Sequence, residues 1–225
     1  MGRVTSVNVG RPRPVGARGR MSGIDKRPVD GPVHVSAPAG KGGGLAEDAV
    51  CDARHHGGPD QAVYAYARED LDTWERQLGR ALTSGGFGEN LTTEGVDVTG
   101  AEVGELWRVG PSLLLQVTQP RVPCRTFAGW LGERGWMRTF TAAAVPGAYL
   151  RVLEPGEVRR GDGLRVEHRP GHGVTMQVAF RALLTEPALL PRLLDAPELP
   201  TQTRGLVLRR LAPTTPSGPG PTLLP

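Results

Sequence analysis

The segment QVTQPRVPCRTF (116–127) places Cys124, one of only two cysteines, directly after Pro123, with Arg121 and Arg125 on either side. A thiolate attacks electrophiles and binds soft metals, and neighbouring cations favour that ionised form. Pro120 and Pro123 stiffen the segment, and Pro123 biases Val122 toward an extended backbone. The thiol is therefore expected at a strand end, where binding sites gather. The competing reading is an inert core thiol, since free cysteine is among the most buried residue types. Cys51, in DAVCDARH, has no such setting and reads as structural.

Three other segments carry candidate groups. In RHHGGPDQAVYAY, His55 and His56 point in roughly opposite directions on an extended chain, so at most one faces a site. Gly57 and Gly58 would let the backbone approach a ligand closely and offer N–H groups to an anion; a loop with one capping histidine explains the same residues. In GGFGENLTTEG, Glu89 and Asn90 follow a glycine cluster, which suits either a site carried on a tight turn or plain turn chemistry. In SGIDKRPV, Lys26 and Arg27 could contact an anion or form a solvated basic loop. PAGKGGGLAEDAV is not a P-loop, because Lys41 precedes the glycines and no Lys-Ser/Thr pair opens a helix.

These groups must be positioned mostly by strands. GRVTSVNVG alternates with one slip, and PVHVSA, QAVYAYA, AEVGELWRVG and SLLLQVTQPR read as further strands; in the last, Leu113, Leu115 and Val117 share a face. GAYLRVLEPGEVRRGDGLRVEHR reads as hairpin-like, and RPRPVGARGRMSG as a loop. REDLDTWERQLGRAL is the clearest helix, with Leu71, Trp74, Leu78 and Leu82 on one side and acids in its first turn. Short strands at close intervals over 1–169 favour a mainly β fold, a barrel or sandwich. After RPGHG, three helical segments broken at Pro187, Pro197 and Pro200 would form a small C-terminal unit over 170–212. Residues 213–225, rich in Pro and Gly, are expected to be a disordered tail.

Composition narrows the function classes. The chain has 225 residues, of which 38% are hydrophobic and 5% aromatic, so Val, Leu and Ala must supply most of the core. A net charge of +4, with arginines matched by nearby acids, does not signal nucleic acid, and binding to it is not expected. The loop RPRPVGARGR is the one basic feature, and no aromatic ladder interleaves with it. Neither a secretory signal nor a membrane span is visible, and two cysteines lack zinc spacing. The expectation is a cytoplasmic protein with reduced thiols and no membrane association.

GIDKRPV, HHGGPDQAVYAYARED, FGENLTTEG, VGELWRVG, QPRVPC and YLRVLEPGEVRRGD occur in an order that resembles the MOSC family, named for the C-terminal part of molybdenum cofactor sulfurases, in its stand-alone bacterial branch. The match spans most of 1–169; in LAEDAV, Asp48 fits the pattern while Glu47 replaces the usual glycine. The resemblance implies a MOSC-type β-barrel with a few helices and a three-helix C-terminal extension. It also implies molybdenum cofactor, a pterin dithiolene (molybdopterin) with a phosphate. Carried over residue by residue, it makes Cys124 the metal-ligating, catalytic thiol and places His56, Gly57, Gly58, Glu89 and Asn90 around the pocket. Lys26 and Arg121 would meet the cofactor's anionic groups.

The implied activity is reduction of small N-hydroxylated substrates, such as hydroxylaminopurines or amidoximes, with electrons from an external donor reductase. A homodimer is an open expectation. Pyridoxal phosphate is a family-level association only, since the chain lacks a pyridoxal-binding desulfurase domain. The alternative is a sulfur carrier that forms a persulfide on Cys124. A third reading is a non-catalytic module that binds cofactor or nucleic acid.

Overall fold

The computed structural model describes residues 1–16, 19–52, 54 and 56–212. The expected tail at 213–225, His55 and part of the basic loop lie outside the described residues.

Seven strands close into a barrel. They are β1 (Gly2–Gly10), β6 (Val63–Ala67), β7 (Leu91–Glu94), β8 (Leu106–Val109), β9 (Leu113–Gln119), β10 (Ala148–Glu154) and β12 (Gly163–His168). The ring runs β12-β8-β9-β10-β6-β7-β1, and β1 returns to β12 through Gly2↔Leu164 and Arg3↔Gly163. Closure removes the free sheet edges. Neighbours are antiparallel except β6 and β7, which pair in parallel with Ala65 opposite Leu91. A parallel pair needs a crossover, and helix α1 (Arg68–Leu78) lies within it. The slip in the first strand is a register shift between Val4 and Ser6 against β7.

Four short strands decorate the ring: β2 (Arg13–Val15), β3 (Arg20–Ser22), β4 (Lys26–Pro28) and β5 (Val33–Val35). A fifth, β11 (Gly156–Val158), pairs with β5. The basic Pro/Gly segment read as a loop is instead a hairpin of β2 and β3, in which Arg13 faces Ser22. The 147–169 segment is not a hairpin either. Its strands β10 and β12 sit on different parts of the ring, because β10 is held between β9 and β6 and β12 between β8 and β1.

Strand alternation sorts the side chains into two cores. Along β6, Val63, Ala65 and Ala67 join the aliphatic barrel interior, while Tyr64 and Tyr66 enter a second, aromatic cluster. Leu113, Leu115 and Val117 of β9 fill the barrel as the pattern required. Eight of the chain's eleven aromatic residues are buried in the second cluster. Trp74 of α1 packs edge-on to Trp136 at 4.8 Å and stacks on Phe140 at 6.0 Å. Trp136 and Phe140 come from α3 (Trp136–Ala143), which with α2 (Arg125–Leu131) covers this side of the barrel. Neither helix was expected. Leu82, placed on the face of α1 by spacing, lies beyond the left-handed Gly79 cap yet remains buried.

At the C-terminus, α4 (Met176–Leu184) and α5 (Thr201–Leu211) flank a 3-10 segment, Pro187–Asp195. Pro191 inside that segment lacks the N–H an α-helix needs. Leu190, Leu193, Ala196 and Val207 bury into the barrel core. Glu102 ties the preceding loop down by accepting from the N–H groups of Gly171 at 2.6 Å and Gly173 at 3.3 Å. No helix among the described residues is long and apolar enough to cross a membrane.

Two local features conflict with stability. Glu47 has φ 62, in the left-handed region, just before Asp48. That conformation costs an L-residue roughly 1–2 kcal/mol and costs glycine nothing. Glu47→Gly is therefore expected to stabilise the protein by about 0.5–1 kcal/mol after glycine's own entropy cost, raising Tm by roughly 1–4 °C. An unchanged or lower Tm would show the turn to be unstrained.

Asp70 in the first turn of α1 is the second conflict. Its pKa is raised to about 6, mainly by burial, with Asp97 and Glu69 adding repulsion against a Thr99 hydrogen bond. A carboxyl with a raised folded-state pKa favours folding while protonated. Its contribution is complete below the ordinary Asp pKa and is lost as pH rises through about 6. Asp70→Asn should match wild type in denaturation midpoint near pH 4 and exceed it above pH 7. Identical pH profiles for the two proteins would contradict this.

Candidate functional site

A cavity of about 330 Å³ opens beside the barrel between the β3–β4 stretch, residues 48–52, 56 and 57, the Gly88–Asn90 turn and the segment after β9. Lys26, His56, Gly57, Asn90, Arg121 and Cys124 lie on its wall, so segments distant in sequence meet there. Gly58 and Glu89 are not on the wall.

Cys124 is half-buried, with an extended backbone (φ −130, ψ 168), and sits immediately before α2. Burial opposes its ionisation, but the polar influence of the nearby His56 and the charge of Arg121 outweigh it. The Phe127 backbone N–H adds a smaller pull without a capping hydrogen bond. The balance brings the thiol to about 6, so the thiolate prevails at neutral pH. Of the two flanking arginines only Arg121 acts this way; Arg125 is exposed.

Arg121 is 5% exposed and lies inside the wall. Its Nη1 donates to the Phe87 carbonyl. The guanidinium carbon sits 4.4 Å from the Phe127 ring centre and 5.1 Å from that of Tyr64. These faces compensate part of the lost hydration. Its Nε is buried without a hydrogen-bond partner among the described residues.

Lys26 Nζ donates to both oxygens of Asp48. Burial lowers the lysine pKa, and Asp48 opposes the shift. Asp48 also accepts from the Gly10 N–H at 2.8 Å and from Asn90 Nδ2 at 3.0 Å. Asn90 Oδ1 in turn accepts from the Tyr64 N–H at 3.1 Å. Asp48 thus joins three wall segments.

Glu89 has a different task. It is fully buried and accepts from the N–H of Gly85 at 2.6 Å, the N–H of Phe87 at 3.0 Å and the Thr92 hydroxyl at 3.0 Å. Burial raises its pKa against those bonds. The carboxylate braces the turn that presents Phe87 O to Arg121 and Asn90 to Asp48. The twin glycines also divide their work. Gly57 has φ 78, and a β-carbon there would run into the Lys41 carbonyl. The Gly58 N–H is taken by Gly42 O at 3.0 Å, so it is not offered to an anion.

Tyr64, Gly88 and Tyr149 of the wall were not singled out from sequence. The two tyrosines pack 5.1 Å apart, and their inward direction follows from strand alternation once β6 and β10 are known to pair. Cys51, read as a structural thiol, is exposed on the cavity wall. Among the described residues, no group of three or more His, Cys, Asp and Glu is placed to hold a metal.

Residues 52–165 match the MOSC domain family. The chain is 35% identical over 180 residues to YflK of Bacillus subtilis (strain 168), covering 79% of each protein. It is 36% identical over 164 residues to YiiM of Escherichia coli (strain K12), covering 72% of this chain and 70% of that one. A fungal protein of Gibberella moniliformis named Reductase is 29% identical over 153 residues, which is 66% of this chain but 26% of that protein. The crystal structure of YiiM from Geobacillus stearothermophilus superposes with a TM-score of 0.76 at 28% identity, covering 94% of this chain and 100% of that one. Agreement in sequence, in the closed barrel and along the chain's length shows that this protein belongs to the MOSC domain family.

Proposed function

We propose that the protein binds molybdenum cofactor and reduces small N-hydroxylated compounds of the hydroxylaminopurine or amidoxime type, with Cys124 as the protein ligand to molybdenum. The observation that carries the reading is the wall around Cys124, where the half-buried thiol lines a cavity together with His56 and the buried Arg121. The donor set fits. A soft thiolate suits a metal already held by dithiolene sulfurs, and the buried Arg121 cation on the wall suits an anionic ligand. When bound, the cofactor would supply two-electron redox chemistry at the metal.

The chain's own residues have separable roles. Cys124 holds the metal. His56, on the same wall, tunes the basicity of the sulfur. Arg121 offsets negative charge in a desolvated wall, where it counts for more than in water. The Lys26–Asp48–Asn90 chain fixes the opposite wall. Tyr64 and Tyr149 offer aromatic edges against which a planar substrate can pack. In the net reaction an N-hydroxyl compound, two electrons and two protons give the reduced nitrogen compound and water. The electrons come from a partner reductase and the protons from solvent. The reductase name of the fungal relative supports this class of activity.

Persulfide formation on Cys124 is the second reading, favoured by the same half-buried thiolate on the cavity wall. Protein made in a host that synthesises the cofactor is expected to carry close to one molybdenum per chain and to reduce benzamidoxime with a viologen donor. Cys124→Ser should lose both. A Ser variant as active as the parent would overturn the assignment. A mass gain of one sulfur on Cys124 after incubation with a desulfurase and cysteine, in protein without molybdenum, would favour the carrier instead.

The metal-free protein gives a further check. Alkylation of Cys124 by iodoacetamide should fall off with a midpoint near 6 as pH is lowered. Arg121→Gln should move that midpoint upward, because the cation that favours the thiolate is gone. A midpoint near the ordinary thiol value in wild type would mean that the site does not activate its sulfur.

A further inference from the structure

The rim of the cavity carries cations that the chemistry above does not use. Arg20, Lys41, Arg54 and Arg125 are exposed there, from four separate segments, and none forms an ion pair among the described residues. Arg20 reaches the wall itself. The Lys41 stem stands beside Gly58, and its carbonyl abuts the wall residue Gly57. Arg54 lies between the wall residues Asp52 and His56, and Arg125 directly follows Cys124. Arg13, on β2 opposite the wall residue Ser22, is also exposed.

The acids of this region do not cancel that charge. Asp25 is buried and shared by Arg13 and Arg27. Asp48 on the wall is held by Lys26, and Asp52 on the wall and the exposed Glu47 complete the set. Within the ring of cations two large apolar side chains face solvent, Met21 at 53% and Val122 at 44% exposure. A small apolar centre ringed by unneutralised charge suits a transient encounter, in which charge steers approach and the buried area stays modest.

We propose that this rim docks the electron donor of the reaction above, and that the donor is a small redox protein whose own cofactor edge is surrounded by acidic residues. The inference rests on the reductase reading, which supplies the need for a donor. Electron tunnelling falls steeply with distance, so a protein donor must settle at the mouth of the cavity. Val122 lies between the wall residues Arg121 and Cys124 in the chain, so docking over it brings a donor beside the reacting wall.

The test uses the full chain and two probes of similar size, an acidic flavodoxin and a basic c-type cytochrome. Calorimetry at about 20 mM salt should show binding of flavodoxin alone, weakened about tenfold or more at about 200 mM salt. The double variant Lys41→Glu/Arg54→Glu should bind flavodoxin at least about tenfold more weakly. Arg160→Glu/Arg209→Glu, the same charge change away from the mouth, should bind like wild type. Equal binding of both probes, equal losses in the two double variants, or displacement of flavodoxin by an equal concentration of a DNA duplex would each overturn the proposal. Turnover with dithionite-reduced methyl viologen separates the two readings. If viologen drives no reduction while the binding pattern holds, the reductase reading fails and the docking surface stands. If viologen-driven turnover is normal in wild type and in Lys41→Glu/Arg54→Glu but flavodoxin-driven turnover is normal in both as well, the docking surface fails alone.

Discussion

A buried guanidinium holds the site together. Arg121 enters the wall after β9, takes the Phe87 carbonyl from the Gly85–Asn90 turn, lies between the rings of Tyr64 and Phe127, and acts on the sulfur three residues along the chain. A cation with one main-chain partner and two aromatic faces is only partly compensated for leaving water. Further compensation comes from the Cys124 sulfur when it is ionised. The same residue that lowers the cost of ionising Cys124 therefore depends on that ionisation. Site and fold are coupled through this one side chain.

Two cores serve two ends. The aliphatic barrel interior keeps the strands in register and takes in the C-terminal helices. The aromatic cluster lies outside the barrel wall, under α1, α2 and α3, and carries the backs of the residues that face the cavity. Tyr64 belongs to both the cluster and the cavity wall, so packing among the rings fixes its place in the site. Glu89 has the equivalent role in the turn, where its carboxylate replaces the regular ladder that a glycine-rich stretch cannot form.

Much of this was legible in the residues, and what was not has identifiable causes. The strand at 113–119 could be read because Leu113, Leu115 and Val117 alternate cleanly over a single buried face. Helices α2 and α3 could not, because Gly129, Gly132 and Gly135 interrupt the stretch. Gly132 caps one helix in the left-handed region, with φ 75, and Gly135 opens the other, with φ 76. Each is too short to show a sustained period. The role of Cys124 was suggested by its neighbours in sequence, but the group that acts on it most strongly against burial, His56, lies 68 positions away and was reached only through the family resemblance. The division of labour between Gly57 and Gly58, and between Asn90 and Glu89, depends on contacts with Lys41, Gly42 and Thr92 that no local pattern encodes. Strand pairing across 147–169 was misjudged for the same reason: turn residues mark where a chain bends, and the partner is chosen by the whole ring.

The barrel closes through a short seam joining Gly2 and Arg3 to Gly163 and Leu164, extended by main-chain hydrogen bonds between Val4 and residues Gly161 and Asp162. Both sides of that seam must exist before the ring can form. While the protein emerges from a ribosome, β1 can lie against β4 and β7, but its edge at Gly2 and Arg3 stays bare until Gly163 and Leu164 have been made. Long-range closure of this kind is slow, and an uncovered strand edge recruits other chains. The nascent protein thus passes through a period of vulnerability in which a holding chaperone would matter more than it does for the finished molecule.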